Sequence, residues 1–143
     1  MDYFRTSEIS AAGMAAQKAR IEAATLNLAN MNTSSAPGTP GYRPVMALIH
    51  AVSTPFAQAL RGGAGSPLAP QAELVAQNAG PARSVYEPGH PHADANGMVS
   101  YPAVDSTQEM MTVMTALRAY EANLAALQAT KTLAARALEI GAQ

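Results

Sequence analysis

The sequence has no cysteine and no tryptophan, and only two of its residues are phenylalanine. Without cysteine there can be neither a disulfide framework nor a thiolate metal site. The shortage of large aromatic side chains leaves little material for a conventional core, because the abundant alanines each bury only a small apolar area. The composition therefore favours a protein that gains stability by assembling with other chains.

An excess of one charge is also lacking. The formal net charge is −1, and no basic cluster interrupts the balance, so binding to nucleic acids or to anionic lipid surfaces is not expected. No apolar run reaches the length of a membrane span. The first residues lack the apolar segment of a cleaved secretory signal, and we expect the chain to be cytoplasmic or to be exported without such a signal.

Proline is absent from both ends of the chain. All ten prolines lie between Pro37 and Pro102, and proline breaks helices because it lacks a backbone donor and clashes with the preceding turn. We therefore predict a mainly α fold in three parts. These are an N-terminal helix within residues 1–35, an irregular Pro/Gly-rich insert with a small β element in residues 36–102, and a C-terminal helix within residues 103–143.

The clearest periodicity lies towards the C-terminus, where residues recur in steps of three and four over four heptads, as in a coiled-coil stripe. The stripe consists of Met110, Val113, Leu117, Tyr120, Leu124, Leu127, Lys131, Ala134 and Leu138. Ser106 and Glu109 have the spacing of a capping box, and Gly141 stands where a C-cap glycine belongs. These signals predict a helix of about 35 residues.

The N-terminal end shows the same steps with smaller side chains, and we predict a helix over about residues 5–31. Its stripe consists of Ile9, Ala12, Ala16, Ala19, Ala23, Leu26 and Asn30. Because most of these side chains are alanines, a partner helix can approach closely. Gly13 lowers helix propensity, by roughly 1 kcal/mol relative to alanine, and would allow a tight contact. The two stripes predict helices that pair as a coiled-coil-like hairpin.

Asparagines close to the stripes have two interpretations. Asn27, Asn30 and Asn32 could use their amides to cap a fraying helix end. Alternatively, an amide in the seam fixes the register between helices at some cost in stability. The same two interpretations apply to Asn123.

The insert contains signals for turns and short strands. Pro37–Gly41 is a turn cluster, and residues 42–52 could be extended or form a short strand. Residues 53–80 have the composition of an irregular segment, with a flexible linker at Gly62–Gly65. Val85-Tyr86 and Met98–Tyr101 are short strand candidates, and Asn96-Gly97 between them is typical of a hairpin turn.

One cluster resembles a metal site. His90, His92 and Asp94 stand at alternate positions, so that two imidazoles and a carboxylate could share a face, as in a small metallo-hydrolase. However, Ala95 stands where the corresponding pattern has its last histidine, and His50 is the sole histidine elsewhere. An exposed turn is therefore favoured over a metal site. No nucleophile motif or phosphate loop is present.

Two groups of sequence motifs, one near the N-terminus and one in residues 86–141, resemble those of bacterial flagellar rod, hook and hook-associated axial proteins. The N-terminal motifs are Ser10–Met14 and Leu26–Thr33. The others, which are similar to those of proximal-rod subunits in particular, are Tyr86–Pro91, Ala93–Gly97, Glu109-Met110, Arg118–Asn123 and Ala137–Gly141. The resemblance covers about residues 1–43 and 84–141.

The resemblance implies a structural subunit of the proximal rod in the flagellar basal body, with no enzymatic activity, metal or cofactor. Its terminal helices would pack, within and between subunits, into a torque-transmitting tubular shaft that crosses the periplasm. We expect the two stripes without Lys131, together with Asn27 and Asn123, to form the subunit interface. Export would use the flagellar type III apparatus, and the neighbours would be other rod subunits, a membrane-ring adaptor and the distal rod. A soluble helical adaptor or chaperone that binds a partner helix without polymerising is the main alternative.

Overall fold

A computed structural model describes residues 3–52, 69–77 and 80–141 of the chain. In chain order the elements are α1 (Tyr3–Asn30), β1 (Val45–Val52), β2 (Ala69–Ala76), β3 (Arg83–Tyr86), β4 (Met98–Tyr101) and α2 (Ser106–Gly141). The helices have 28 and 36 residues, and each strand pair forms its own two-stranded sheet. The predicted mainly α composition with a small β component is confirmed.

Helix α1 occupies the proline-free N-terminal end, close to the predicted bounds. It is rich in alanine, the residue with the highest helix propensity. Beyond Asn30 the chain turns, and the N–H of Thr33 donates to the carbonyl of Asn30 over 3.0 Å. A further turn follows at Pro37, where Gly38 has a φ of +80°, so the predicted turn cluster is also confirmed.

Helix α2 begins differently from the prediction. Oδ1 of Asp105 accepts hydrogen bonds from the N–H groups of Thr107, over 2.9 Å, and Gln108, over 3.4 Å. Asp105 is therefore the N-cap, and the capping box predicted from Ser106 and Glu109 is wrong. The carboxylate of Glu109 instead accepts a hydrogen bond from Asn27. At its other end α2 includes Gly141 as its last residue.

Strands β3 and β4 pair antiparallel at the positions that the sequence predicts, with Val85 opposite Val99. The intervening loop is longer than a two-residue hairpin turn. Its final turn is organised by Asp94, whose Oδ1 accepts hydrogen bonds from two backbone N–H groups. Gly97 has a φ of +74°, and a Cβ at this position would lie 2.9 Å from Cε2 of Tyr86. Glycine is therefore required on both conformational and steric grounds.

The second sheet corrects the prediction for residues 53–80. β1 confirms the extended segment before it, but β2 lies in a stretch that the sequence presents as irregular. The N–H of Gln77 donates to the carbonyl of Pro44 over 2.7 Å, so the end of β2 meets the start of β1. The predicted linker at Gly62–Gly65 lies outside the described residues.

The chain divides into two compact units, each built from segments distant in sequence. Unit 1 comprises Met1–Ala19, Leu48–Glu73 and Thr115–Gln143, and unit 2 comprises Arg20–Ala47 and Leu74–Met114. Among the described residues, the buried apolar side chains are Ala16 and Ala116 in unit 1 and Ala23, Ala24 and Val99 in unit 2. The core is therefore small, as the composition predicts. Neither described helix is long and apolar enough to cross a membrane.

Candidate assembly surface

Asn27 belongs to unit 2 and is buried there, with 2% of its surface exposed. Its Nδ2 donates to the backbone carbonyl of Val45 and to Oε1 of Glu109, both over 2.8 Å. Its Oδ1 accepts from the N–H of Val45 over 2.8 Å and from the hydroxyl of Tyr42 over 2.9 Å. The amide thus joins α1 to the beginning of α2 and to the chain that enters β1.

All the hydrogen-bonding capacity of the Asn27 amide is used, because an amide has two donors and two acceptor lone pairs. A fully satisfied buried amide specifies one arrangement of its partners. The interpretation in which the amide fixes helices relative to each other therefore applies to Asn27. At Asn30 the local interpretation applies, since its Nδ2 donates to the carbonyl of Leu26 over 2.9 Å and its Oδ1 accepts from Thr33.

The surroundings of Tyr42 change the pKa of its phenol. Burial and then the negative charge of Glu109 raise the pKa of the Tyr42 phenol above its ordinary value of 10.0. Both causes disfavour the phenolate. The neutral phenol therefore remains available to donate its hydrogen bond to Asn27.

In unit 1 the two helices approach closely at Gly13. A Cβ built on Gly13 would lie 3.0 Å from Nδ2 of Asn123 and 3.3 Å from its Cγ. Any side chain larger than hydrogen at Gly13 would therefore crowd Asn123. This is the tight contact that the glycine in α1 predicted.

The predicted interface residues on α2 fall into two groups. Val113, Tyr120, Asn123, Leu127 and Ala134 are half-buried within the subunit. Met110, Leu117, Leu124 and Leu138 are exposed, at 57%, 48%, 38% and 76% respectively. Lys131 is exposed as well. The predicted stripe is therefore covered along one edge within the subunit and exposed along the other.

The predicted residues on α1 are mostly covered. Ala16, Ala23 and Asn27 are buried, and Ala12, Ala19 and Asn30 are half-buried. The two largest apolar members of the stripe, Ile9 and Leu26, are 50% and 41% exposed. Small side chains thus face the inside of the subunit, and the largest apolar ones remain available to other molecules.

The candidate metal site has a different role. Nδ1 of His90 accepts from the N–H of His92 over 3.0 Å, and Nδ1 of His92 shares a hydrogen bond with Oγ of Ser34 over 2.9 Å. Oδ1 of Asp94 accepts from the N–H groups of the turn that follows. Within the described ranges no group of three potential metal ligands occurs. The residues organise a turn, as the favoured interpretation predicts.

The three hydrogen-bond partners of Asn27 were not predicted from the sequence. Val45 binds Asn27 through its backbone N–H and carbonyl, and a pattern of residue types does not predict such backbone contacts. Glu109 was assigned to a capping box, and Tyr42 was given no role. Tyr42 lies directly after the turn cluster and two residues before Pro44. This position was the one sequence signal that Tyr42 is held in place.

Comparison with known proteins shows which class of protein the chain resembles. Residues 95–140 match the family model described as "Flagellar basal body rod FlgEFG protein C-terminal". This range contains β4 and nearly all of α2, the helix that carries the exposed apolar residues. The match points to the flagellar basal-body rod proteins.

Relatives that span the chain make the assignment specific. The sequence is 33% identical to flagellar basal-body rod protein FlgC of Bacillus subtilis (strain 168) over 99% of each chain. It is 34% identical to FlgC of Salmonella typhimurium over 94% of each chain, and 33% identical to FlgC of Aquifex aeolicus over 97% of each. The chain belongs to the FlgC family of flagellar basal-body rod proteins, and it is a structural protein of that rod. The resemblance found in the sequence motifs is confirmed.

Proposed function

We propose that this protein is a subunit of the proximal rod and polymerises through its terminal helices into the torque-transmitting drive shaft that crosses the periplasm. Residues 1–35 and 103–143 would form the helical rod domain, and residues 36–102 would form the insert that distinguishes this subunit. Many long helices packed side by side would transmit torque as one stiff body. The function is mechanical, and we propose no catalytic reaction for it.

The observation that carries the proposal is the exposure of large apolar side chains on the helices. Met110, Leu117, Leu124 and Leu138 are all more than one third exposed, and they recur at sevens or multiples of seven along α2. Ile9 and Leu26 on α1 are similarly exposed. Exposed large apolar side chains that share one side of a helix mark an interaction site, and their heptad spacing suits another helix.

Within the subunit, the helices would form an antiparallel coiled-coil-like hairpin. Gly13 lies against Asn123 in unit 1, and Asn27 bonds Glu109 in unit 2. Of the two α1 residues, the earlier one meets the later of the two α2 residues, and this order is the one that antiparallel helices produce. The covered flank of α2 would then hold the hairpin together, while the exposed flank would contact neighbouring subunits.

The partners would be other rod subunits, a membrane-ring adaptor and the distal rod. Export would proceed through the flagellar type III apparatus without a cleaved signal. A small core is compatible with this route, because a chain with few buried large side chains loses little on unfolding. These assignments rest on the family and on the surface described above.

The substitution Leu124→Asp tests the proposed interface. A carboxylate on the apolar side of α2 would be desolvated in a packed interface without a partner, which is strongly unfavourable. We expect the variant subunit to fold and to be absent from isolated basal bodies, and the cells to be non-motile. Helix content of the purified subunit, measured by circular dichroism, establishes folding.

Ala129→Asp is the matched control. Ala129 is exposed on the same helix and lies five residues beyond Leu124, about 140° further around the helix axis. The control variant should assemble and support swimming. Normal motility with Leu124→Asp, or equal loss with both substitutions, would contradict the assignment of this side of α2 to the interface.

A further inference from the structure

The loop of residues 87–97, which joins β3 to β4, contains two of the three histidines of the chain. The backbone N–H of His92 donates to ring Nδ1 of His90 over 3.0 Å, and the two ring centroids lie 5.4 Å apart. A backbone N–H can donate only to an unprotonated ring nitrogen. The contact therefore requires a neutral His90 that carries its proton on Nε2.

His92 attaches the loop to the segment that follows α1, residues 31–41, which we call the post-helix segment. Its Nδ1 shares a hydrogen bond with Oγ of Ser34 over 2.9 Å. A hydroxyl can donate to a neutral ring nitrogen or accept from a protonated one, so this bond persists in either charge state of His92. Sensitivity to charge therefore resides at His90.

The charged groups around His90 are engaged with other partners. On the loop, Oε2 of Glu87 accepts from the hydroxyl of Tyr101 over 3.0 Å, and Oδ1 of Asp94 accepts from two backbone N–H groups. On the strands, the guanidinium of Arg83 lies 5.4 Å from the centroid of the Tyr101 ring. The post-helix segment has no charged side chain. A proton added to Nδ1 of His90 would remove the hydrogen bond from the His92 amide.

We infer that the loop of residues 87–97 is an acid-sensitive element of this subunit. In the structure Nδ1 of His90 accepts the hydrogen bond from the His92 amide, and His92 holds the loop to Ser34. Histidine gains its charge between about pH 8 and pH 5. Protonation of Nδ1 of His90 breaks the bond from the His92 amide and places a positive charge beside the second ring, which loosens the backbone of the loop at His92. This inference does not depend on the rod interface.

The test uses nuclear magnetic resonance of the purified full-length subunit across this pH range. The readout is the hydrogen-exchange protection factor of the His92 amide, which corrects for the intrinsic effect of pH on exchange. We expect it to fall roughly tenfold on acidification, the effect of losing one hydrogen bond. The fall should follow protonation of His90 Nδ1, which the ring nitrogen shifts report directly.

Variants separate this mechanism from a general effect of acid. In His90→Asn the side-chain Oδ1 can replace Nδ1 as acceptor and does not titrate, so the His92 amide should stay protected throughout. His90→Ala should leave the amide unprotected throughout. The control, His50→Asn, changes the exposed histidine of β1 and should behave as the wild type.

Two results would overturn the inference. One is a wild-type His92 amide that keeps its protection after His90 Nδ1 is protonated. The other is the same acid-induced loss in His90→Asn as in the wild type. If His90→Asn is unprotected even at neutral pH, the wild-type comparison of ring protonation with amide protection still decides the question.

Discussion

The carboxylate of Glu109 accepts a hydrogen bond of 2.8 Å from the side-chain amide of Asn27, 82 residues earlier in the chain. The same amide binds both backbone groups of Val45 and the hydroxyl of Tyr42. One buried side chain therefore fixes the first turns of α2 relative to α1 and the beginning of β1. The stability of unit 2 should depend on it more than on any single apolar contact.

Replacement of Asn27 by alanine should lower the free energy of unfolding by about 3 kcal/mol, because each buried polar group left without a partner costs about 1–3 kcal/mol. Urea denaturation of the purified subunit measures the change. Asn32→Ala is the control, since Asn32 is exposed just beyond α1 and its loss should cost less than about 0.5 kcal/mol. Similar losses in both variants would refute the central role of Asn27.

Gly13 and Asn123 should show coupled effects on stability. In the wild-type background, Gly13→Ala adds a Cβ only 3.0 Å from Nδ2 of Asn123, and this crowding should offset the higher helix propensity of alanine. In the Asn123→Ala background the amide group that supplies the three nearest atoms is gone, and the same substitution should stabilise the subunit by up to about 1 kcal/mol.

A double-mutant cycle of these variants, measured by thermal or urea unfolding, gives the coupling free energy. We expect a coupling of at least about 0.5 kcal/mol, which is typical of residues in direct contact. An effect of Gly13→Ala that is the same in both backgrounds would mean that the helices do not approach each other at this point.

The raised pKa of Tyr42 predicts a loss of stability at alkaline pH. Burial and the charge of Glu109 place this pKa above 10.0 in the folded subunit, so the folded state keeps a proton that the unfolded chain loses. The contribution is complete below the unfolded-state pKa, and it is lost as the pH rises through that value towards the folded-state pKa.

Tyr42→Phe should make the decline of stability above pH 10 shallower, as measured by urea unfolding between about pH 8 and pH 11. Below pH 10 the variant should be less stable by about 1 kcal/mol, because Asn27 loses one hydrogen bond. The decline should not vanish, since partial burial and the hydrogen bond to Glu87 also raise the pKa of Tyr101. An unchanged alkaline slope would contradict the assignment to Tyr42.

The helices and the main turns were predictable because their signals are local. Proline confined to the middle of the chain left the ends helical, and Asn96-Gly97 marked a turn because glycine tolerates the positive φ found at Gly97. The role of Asn27 was predictable only in part. Its sequence position suggested an amide between helices, but its bonds to the backbone of Val45 depend on contacts that no residue pattern encodes.

Two predictions were wrong, namely the capping box at the start of α2 and the irregular character of the segment that contains β2. Ser106 and Glu109 had the spacing of a capping box, but Asp105 capped the helix one residue earlier and freed Glu109 to bind Asn27. β2 was missed because its sequence lacks β-branched runs, and it is a strand through pairing with β1. A neighbouring residue replaced the predicted cap, whereas a longer-range partner made β2 a strand.

The sequence by itself determined that both ends are long helices with apolar residues along one broad side, since proline and periodicity act locally. Only the tertiary structure decided which flank of α2 is covered. Ala116 and Thr130 are buried, whereas their neighbours Leu117 and Lys131 are exposed. Adjacent residues lie about 100° apart around a helix. Periodicity therefore indicates a broad apolar side but not where the covered part of that side ends. Among the described side chains of α2 the buried ones are the small Ala116 and Thr130, because small side chains allow a close approach, and larger neighbours such as Leu117 stay exposed.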